Sequence, residues 1–127
     1  MKISYKLFVI FALFAIVFLS CSKKDEEEQP PFAKFAINPE QGFVSTEFTF
    51  DATESKVTND KCTSLLYKWD FDGDGNWDTG CSKDKIEKHT YLKAGIYEPK
   101  LEIRDCNGWT NFYIQTLEVM ADTTTSK

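Results

Sequence analysis

From Phe32 to Met120 the chain alternates apolar and polar side chains in short runs separated by Gly, Pro and Asn. Ala33 to Ile37 forms the first run, ended by Asn38-Pro39-Glu40-Gln41-Gly42, and Thr46 to Asp51 alternates cleanly. Leu65, Tyr67, Trp69 and Phe71 share one face of a third run. Ile96 to Arg104 and Asn111 to Met120 supply two more. Pro99 marks an edge or bulge in the former. The latter slips phase once, between Phe112/Ile114 and Leu117/Val119. Side chains on a strand project alternately to its two faces, so a period of two marks a sheet with one buried face. No helical period competes after residue 32, and the pattern predicts an all-β sandwich of about seven strands.

The N-terminal segment is patterned differently. Met1 to Lys6 is basic, and Leu7 to Leu19 is an unbroken apolar run of 13 residues. A membrane-spanning helix needs roughly 20, so the run reads as the h-region of a secretory signal peptide. Phe18-Leu19-Ser20-Cys21 then resembles the lipobox of bacterial lipoproteins, with Phe18 standing where Leu is usual. The resemblance implies cleavage before Cys21 and acylation of Cys21, which becomes the mature N-terminus. More than one acyl chain gives stable attachment, at about 0.8 kcal/mol per buried CH₂. The predicted organisation is a signal peptide over 1–20, a lipidated Cys with an acidic tether over 21–31, a β-domain over 32–121 and a tail over 122–127.

Ser22 to Pro31 is charged and ends in two prolines, so it has no apolar surface to bury and reads as a solvated spacer. Its acidic run also resembles the signal that exports lipoproteins of Bacteroidota to the cell surface. Removing the leader takes away Lys2 and Lys6 and no acids, which moves the net charge from −5 to −7. An acidic protein with no basic cluster excludes nucleic acid as a partner.

The runs of the β-domain carry a recognisable set of residues in order: Phe35-Ala36-Ile37-Asn38-Pro39, Phe48-Thr49-Phe50-Asp51-Ala52 and Tyr67-Lys68-Trp69-Asp70-Phe71-Asp72-Gly73-Asp74-Gly75. His89-Thr90-Tyr91 with Gly95-Ile96-Tyr97, and Leu101-Glu102-Ile103-Arg104-Asp105 with Gly108, follow. Together they resemble a polycystic-kidney-disease (PKD) domain over nearly all of residues 32–120. The resemblance implies an immunoglobulin-like β-sandwich of a kind found in extracellular modules joined to hydrolases or adhesins. Such modules act as spacers or contact protein and carbohydrate. Trp69 is the expected central aromatic between the sheets, and such a ring buries roughly 150–250 Å². His89, the only histidine, is expected to be a structural hydrogen-bonding residue, with Tyr91 and Tyr97 as core and corner residues.

Candidate chemistry gathers at two places. In the first, Asp70, Asp72, Asp74, Asn76 and Asp78 occupy positions one, three, five, seven and nine of an oxygen-ligand loop, with Gly75 at the turn. This is the first half of an EF-hand-like Ca²⁺ loop. Cys81 stands where the closing bidentate Glu would be, so a calcium ion here needs a ligand from elsewhere. The other reading is a hairpin tip, for which Gly73 and Gly75 supply the left-handed conformations and the Asp and Asn side chains supply caps. Asp72, Asp74 and Asp78 are the favoured ligands, with Asp70 facing solvent from its strand.

The second place is the opposite end of the sandwich, where an immunoglobulin-like topology puts Cys62, Cys81 and Cys106. One disulfide is expected there, Cys62–Cys81 being favoured and Cys62–Cys106 the alternative. Trp109, with Phe112 and Tyr113, is the expected contact surface for sugar or protein; Trp77 sits by the acidic tip. No Ser-His-Asp or Cys-His spacing, phosphate loop or second domain offers an active site, and an acidic dyad at an open hairpin tip lacks a glycosidase's cleft. The sequence thus reads as a non-enzymatic outer-membrane lipoprotein displaying one interaction module for protein or polysaccharide. The alternative is a purely structural spacer or accessory subunit.

Overall fold

Leu65, Tyr67, Trp69 and Phe71 all point into the core, as their spacing requires. A computed structural model describes residues 29–122; the segment expected to be a signal peptide, Cys21 and most of the expected acidic tether lie outside the described residues. Nine strands are present among these: β1 (Ala36–Asn38), β2 (Gly42–Phe43), β3 (Glu47–Asp51), β4 (Leu66–Asp70), β5 (Ile86–Thr90), β6 (Gly95–Tyr97), β7 (Lys100–Arg104), β8 (Thr110–Ile114) and β9 (Leu117–Met120). They pair in the orders β1-β3-β5, β4-β7-β8 and β2-β9-β6.

The expected count of about seven strands and the observed nine describe the same chain path. Lys100 pairs with Ile114 and Tyr97 with Leu117, so β6–β7 and β8–β9 form one long hairpin in a single register. It is interrupted at Glu98-Pro99 and Gln115-Thr116, where the Gln115 N–H donates to the Pro99 carbonyl at 3.2 Å. Proline has no N–H to give the ladder, which is why the break falls there.

The continuous register also removes the phase slip expected in the last run. Tyr113, Leu117 and Val119 all face inward, Tyr113 meeting the Phe35 ring edge-on at 5.3 Å. Phe112 and Ile114 are the outward residues of the same strand path. They are 45% and 54% exposed. The chain did not change phase; its outer face is apolar there.

Between the layers lies an aromatic core. Phe35 and Phe50 meet Trp69 at 5.0 and 5.6 Å between ring centroids, both edge-on. Phe71 stacks parallel to Trp69 at 5.8 Å. Edge-to-face and offset contacts of this kind suit the ring quadrupole. The His89 ring lies on Phe71 at 4.4 Å and meets Tyr91 edge-on, so ring packing is the role the fold gives it. Burial holds its pKa below the ordinary value, partly opposed by the charges of Asp78 and Asp72. The buried Tyr91 hydroxyl donates to the Phe71 carbonyl at 2.6 Å, and burial drives its pKa upward. Tyr97 ties its own corner by donating to the Lys93 carbonyl at 2.8 Å.

The end of the tether is held against the sandwich. The Thr58 hydroxyl reaches the carbonyls of Gln29 and Pro30, Pro31 is buried, and the Asn111 amide donates to the Pro31 carbonyl at 2.9 Å.

Cys62 pairs with Cys106, not with Cys81. The ladder explains the correction. Leu66 at the start of β4 pairs with Arg104 at the end of β7, so the residues just outside that pair meet, with Cα atoms 5.6 Å apart. Cys81 precedes Ser82, which bridges Tyr67 in antiparallel register, so Cys81 lies opposite the middle of β4 and well along the strand from Cys62. It is exposed and free.

Candidate functional site

At the acidic tip the chain leaves β4 at Asp70, turns through Gly73 and Gly75, and returns along the edge of β4. Asp70 organises the turn. Its carboxylate oxygens accept the Gly73 and Gly75 N–H groups at 2.8 and 3.0 Å. It is 2% exposed, which corrects the expectation that it faces solvent. Asp78 accepts the Phe71 N–H at 2.6 Å and closes the neck. Gly73 has φ +74°, and a Cβ there would fall 2.7 Å from the Glu98 carbonyl oxygen, so only glycine fits.

The five predicted metal ligands divide. Asp70, Asp72 and Asp78 bring carboxylate oxygens within 4.8 Å of one another. Asp74 is not one of them. The Asp74 carboxylate instead accepts both the backbone and side-chain N–H of Asn76, which lowers its pKa. The Asp72 pKa is raised, by desolvation first and then by the neighbouring Asp74 and Asp78 charges. A calcium ion takes six to eight oxygens. Asp70, Asp72 and Asp78 would supply part of that shell, with Asp70 already holding two backbone N–H groups. The tip is foremost a built turn.

The predicted contact residues divide as well. Tyr113 lies on the inner face. Trp109 stands in the turn after β7, where the buried Asp105 carboxylate accepts the N–H groups of Asn107 and Trp109, both at 2.9 Å. The ring there is 44% exposed. Phe112 sits on the outer face of the β4-β7-β8 sheet. Its observed ring partner is Trp77, which the sequence reading had left at the acidic tip.

The return segment brings Trp77 there. The Asp78 and Thr79 N–H groups both donate to the Trp69 carbonyl, at 2.9 and 3.2 Å, so two residues are packed against one of β4. Such a local excess re-aims side chains. Trp77 stacks with Phe112 at 6.5 Å and 17°. The Lys68 ammonium lies 4.5 Å from the Trp77 centroid, and that of Lys100 lies 5.3 Å from Trp77 and 4.6 Å from Phe112. All are within cation–π range. The strand registers explain the grouping: Lys68, Glu102 and Phe112 form one cross-strand row, and Asp70, Lys100 and Ile114 the next. The one sequence signal for this face was the apparent phase slip at Phe112 and Ile114.

Residues 28–121 match the family model of the PKD domain. The chain belongs to the PKD-domain family. It is 38% identical over 79 residues to collagenase ColA of Clostridium perfringens, an alignment covering 62% of this chain and 6% of the collagenase. Among solved structures, carbohydrate-binding modules of the β-sandwich superfamily align with a TM-score of 0.65 and 30% identity, covering 76% of this chain and 37% of that one. The PKD1 domain of the Vibrio cholerae metalloprotease PrtV aligns at 0.54 and 25%, over 72% of this chain and 99% of that domain. The PKD1 domain of Vibrio anguillarum Epp shares the fold, with a TM-score of 0.56 and 23% identity over 76% of this chain and 100% of that domain. The all-β, immunoglobulin-like sandwich expected from the sequence is therefore the observed fold, and this PKD domain resembles modules that accompany enzymes.

Proposed function

We propose that this PKD domain is a non-catalytic binding module for polysaccharide, displayed on the outer membrane by an acylated Cys21. One observation carries the reading: on the outer face of the β4-β7-β8 sheet an exposed Phe112 stacks with a half-buried Trp77. Contiguous apolar surface, here Phe112 beside Ile114 and Trp77, is a mark of interaction sites. Flat rings beside polar groups suit the apolar faces of sugars. The likeness to carbohydrate-binding modules supports the same ligand class. The anchor rests on the lipobox-like Phe18-Leu19-Ser20-Cys21, and the proline-ended tether would hold the domain off the bilayer.

A glycan array tests the binding face. The wild type should retain polysaccharide, Trp77→Ala/Phe112→Ala should lose at least tenfold in affinity, and Trp109→Ala should keep most of it. Loss on Trp109→Ala alone would move the site to the turn after β7. Membrane fractionation of Cys21→Ser tests the anchor: the variant should appear in the soluble fraction, and continued membrane association would refute acylation there.

A further inference from the structure

Two lysines stand against the ring pair, with the exposed acids of the tip, Asp72, Asp74 and Asp78, beyond the end of β4. Four ionisable residues of the β4-β7-β8 ladder share its two central rows: Lys68 with Glu102, and Asp70 with Lys100. A third row adds Arg104, opposite Leu66 and Thr110. The two acids are withdrawn. Asp70 is buried and holds the Gly73 and Gly75 N–H groups. Glu102 is largely buried, and its carboxylate turns to Arg104 at 3.5 Å. The ion pairs observed among the described residues are Lys34–Glu54, Lys88–Glu47 and Arg104–Glu102; Lys68 and Lys100 belong to none of them. Their ammonium groups rest on ring faces instead, on a protein whose net charge is −5. Two ammoniums held by π-faces beside a ring pair keep donors available for an anion, and side chains of this kind swing on the picosecond to nanosecond scale.

Resting on the polysaccharide reading above, we propose that the ligand of this face is an anionic polysaccharide. Sugar rings stack on Trp77 and Phe112 while Lys68 and Lys100 pair with the carboxylate or sulfate groups of the chain. The two lysines then set selectivity, and the two rings provide affinity common to all sugars. A neutral glycan would gain only the second part.

The test is titration calorimetry of the full chain in detergent. The titrants are alginate oligomers (carboxylate), sulfated carrageenan oligomers and neutral cello-oligomers, with poly-glutamate as a charge control. Wild type should bind at least one acidic oligomer tenfold or more tighter than the neutral one, with affinity falling as NaCl rises. The alginate and carrageenan arms tell carboxylate from sulfate. Lys68→Gln/Lys100→Gln should erase that preference and keep the neutral affinity, whereas Trp77→Ala/Phe112→Ala should weaken every sugar. Unchanged acidic affinity in the lysine variant would overturn the inference, and so would equal wild-type affinity for acidic and neutral oligomers. Poly-glutamate binding as tightly as the acidic sugars would also overturn it, in favour of an acidic peptide partner. In each of these cases loss of binding in the ring variant would leave the polysaccharide reading standing. Absence of binding to every glycan by wild type would remove that reading itself. Melting curves of both variants check folding, since Phe112 is exposed but Lys68, Trp77 and Lys100 are half-buried.

Discussion

On the inner face of the β4-β7-β8 sheet, Trp69, Leu101 and Tyr113 form one cross-strand row. One residue along each strand, on the outer face, the row is Lys68, Glu102 and Phe112. The same backbone supports both. Trp69 and Leu101 are buried and meet rings and aliphatic groups from the opposite layer, so burial there is a condition of folding. Phe112 is exposed and meets the half-buried Trp77 ring and the Lys100 ammonium. Nothing in the described fold requires a phenyl ring at that position. A large apolar side chain that the core does not need is better understood through what it binds.

The comparison breaks most sharply at its inner side. Trp69→Ala should cost about 3–5 kcal/mol, because it empties the centre of the aromatic core and unsupports Phe35, Phe50 and Phe71 together. Denaturant titration measures this, and a loss below about 1 kcal/mol would mean that Trp69 is not the keystone. Next comes the covalent link between the loop before β4 and the turn after β7. Replacing Cys62 and Cys106 together with Ala should cost about 2–4 kcal/mol, mainly through the freed unfolded chain, whereas Cys81→Ser should leave stability unchanged. A peptide map under non-reducing conditions that joined Cys62 to Cys81 would reverse the assignment.

A smaller effect is expected at the edge of the core. Tyr91→Phe keeps the ring but leaves the Phe71 carbonyl without its buried donor, which should cost about 1–3 kcal/mol. The neighbouring His89 should add a shallow pH dependence. Its folded pKa lies below the ordinary value of 6.5, so the unfolded chain takes up the proton first. Stability should therefore be fully present above about pH 6.5 and decline as pH falls through the lower folded value. Asp72, with its raised pKa, acts in the opposite sense and nearer the carboxylate range. Melting temperatures of wild type and His89→Gln between pH 7.5 and 5 should diverge accordingly, and parallel curves would remove His89 as the source.

The sequence made the inner face readable because burial imposes a period of two and punishes departures from it. Leu65, Tyr67, Trp69 and Phe71 were legible on that ground alone. The disulfide was less so, since Cys62 has two partners at plausible strand ends and only the Tyr67–Ser82 bridge shows that Cys81 lies opposite mid-strand. The acidic tip was legible as a turn, but spacing could not show that Asp70 folds inward while Asp74 turns to Asn76. Trp77 and Phe112 are 35 positions apart in the chain. Their contact depends on the return segment packing two residues against one of β4, which no local pattern encodes. The phase slip was the trace of that face, visible but misassigned to the strand's geometry.

The smallest stability effect is the one that separates the two faces. Phe112→Ala removes the same ring as Phe50→Ala, yet its surroundings are Trp77, Lys100 and solvent. A surface substitution of this kind should change stability by no more than about 0.5 kcal/mol, against several for an inner-face ring. Thermal melts of Phe112→Ala and Phe50→Ala, run side by side, make the comparison direct. If Phe112→Ala proved as costly as Phe50→Ala, the outer rings would be a second core, retained for folding, and their exposure would no longer argue for a ligand. If it is nearly silent in the melt and costly in glycan binding, the ring is kept for what it contacts outside the domain.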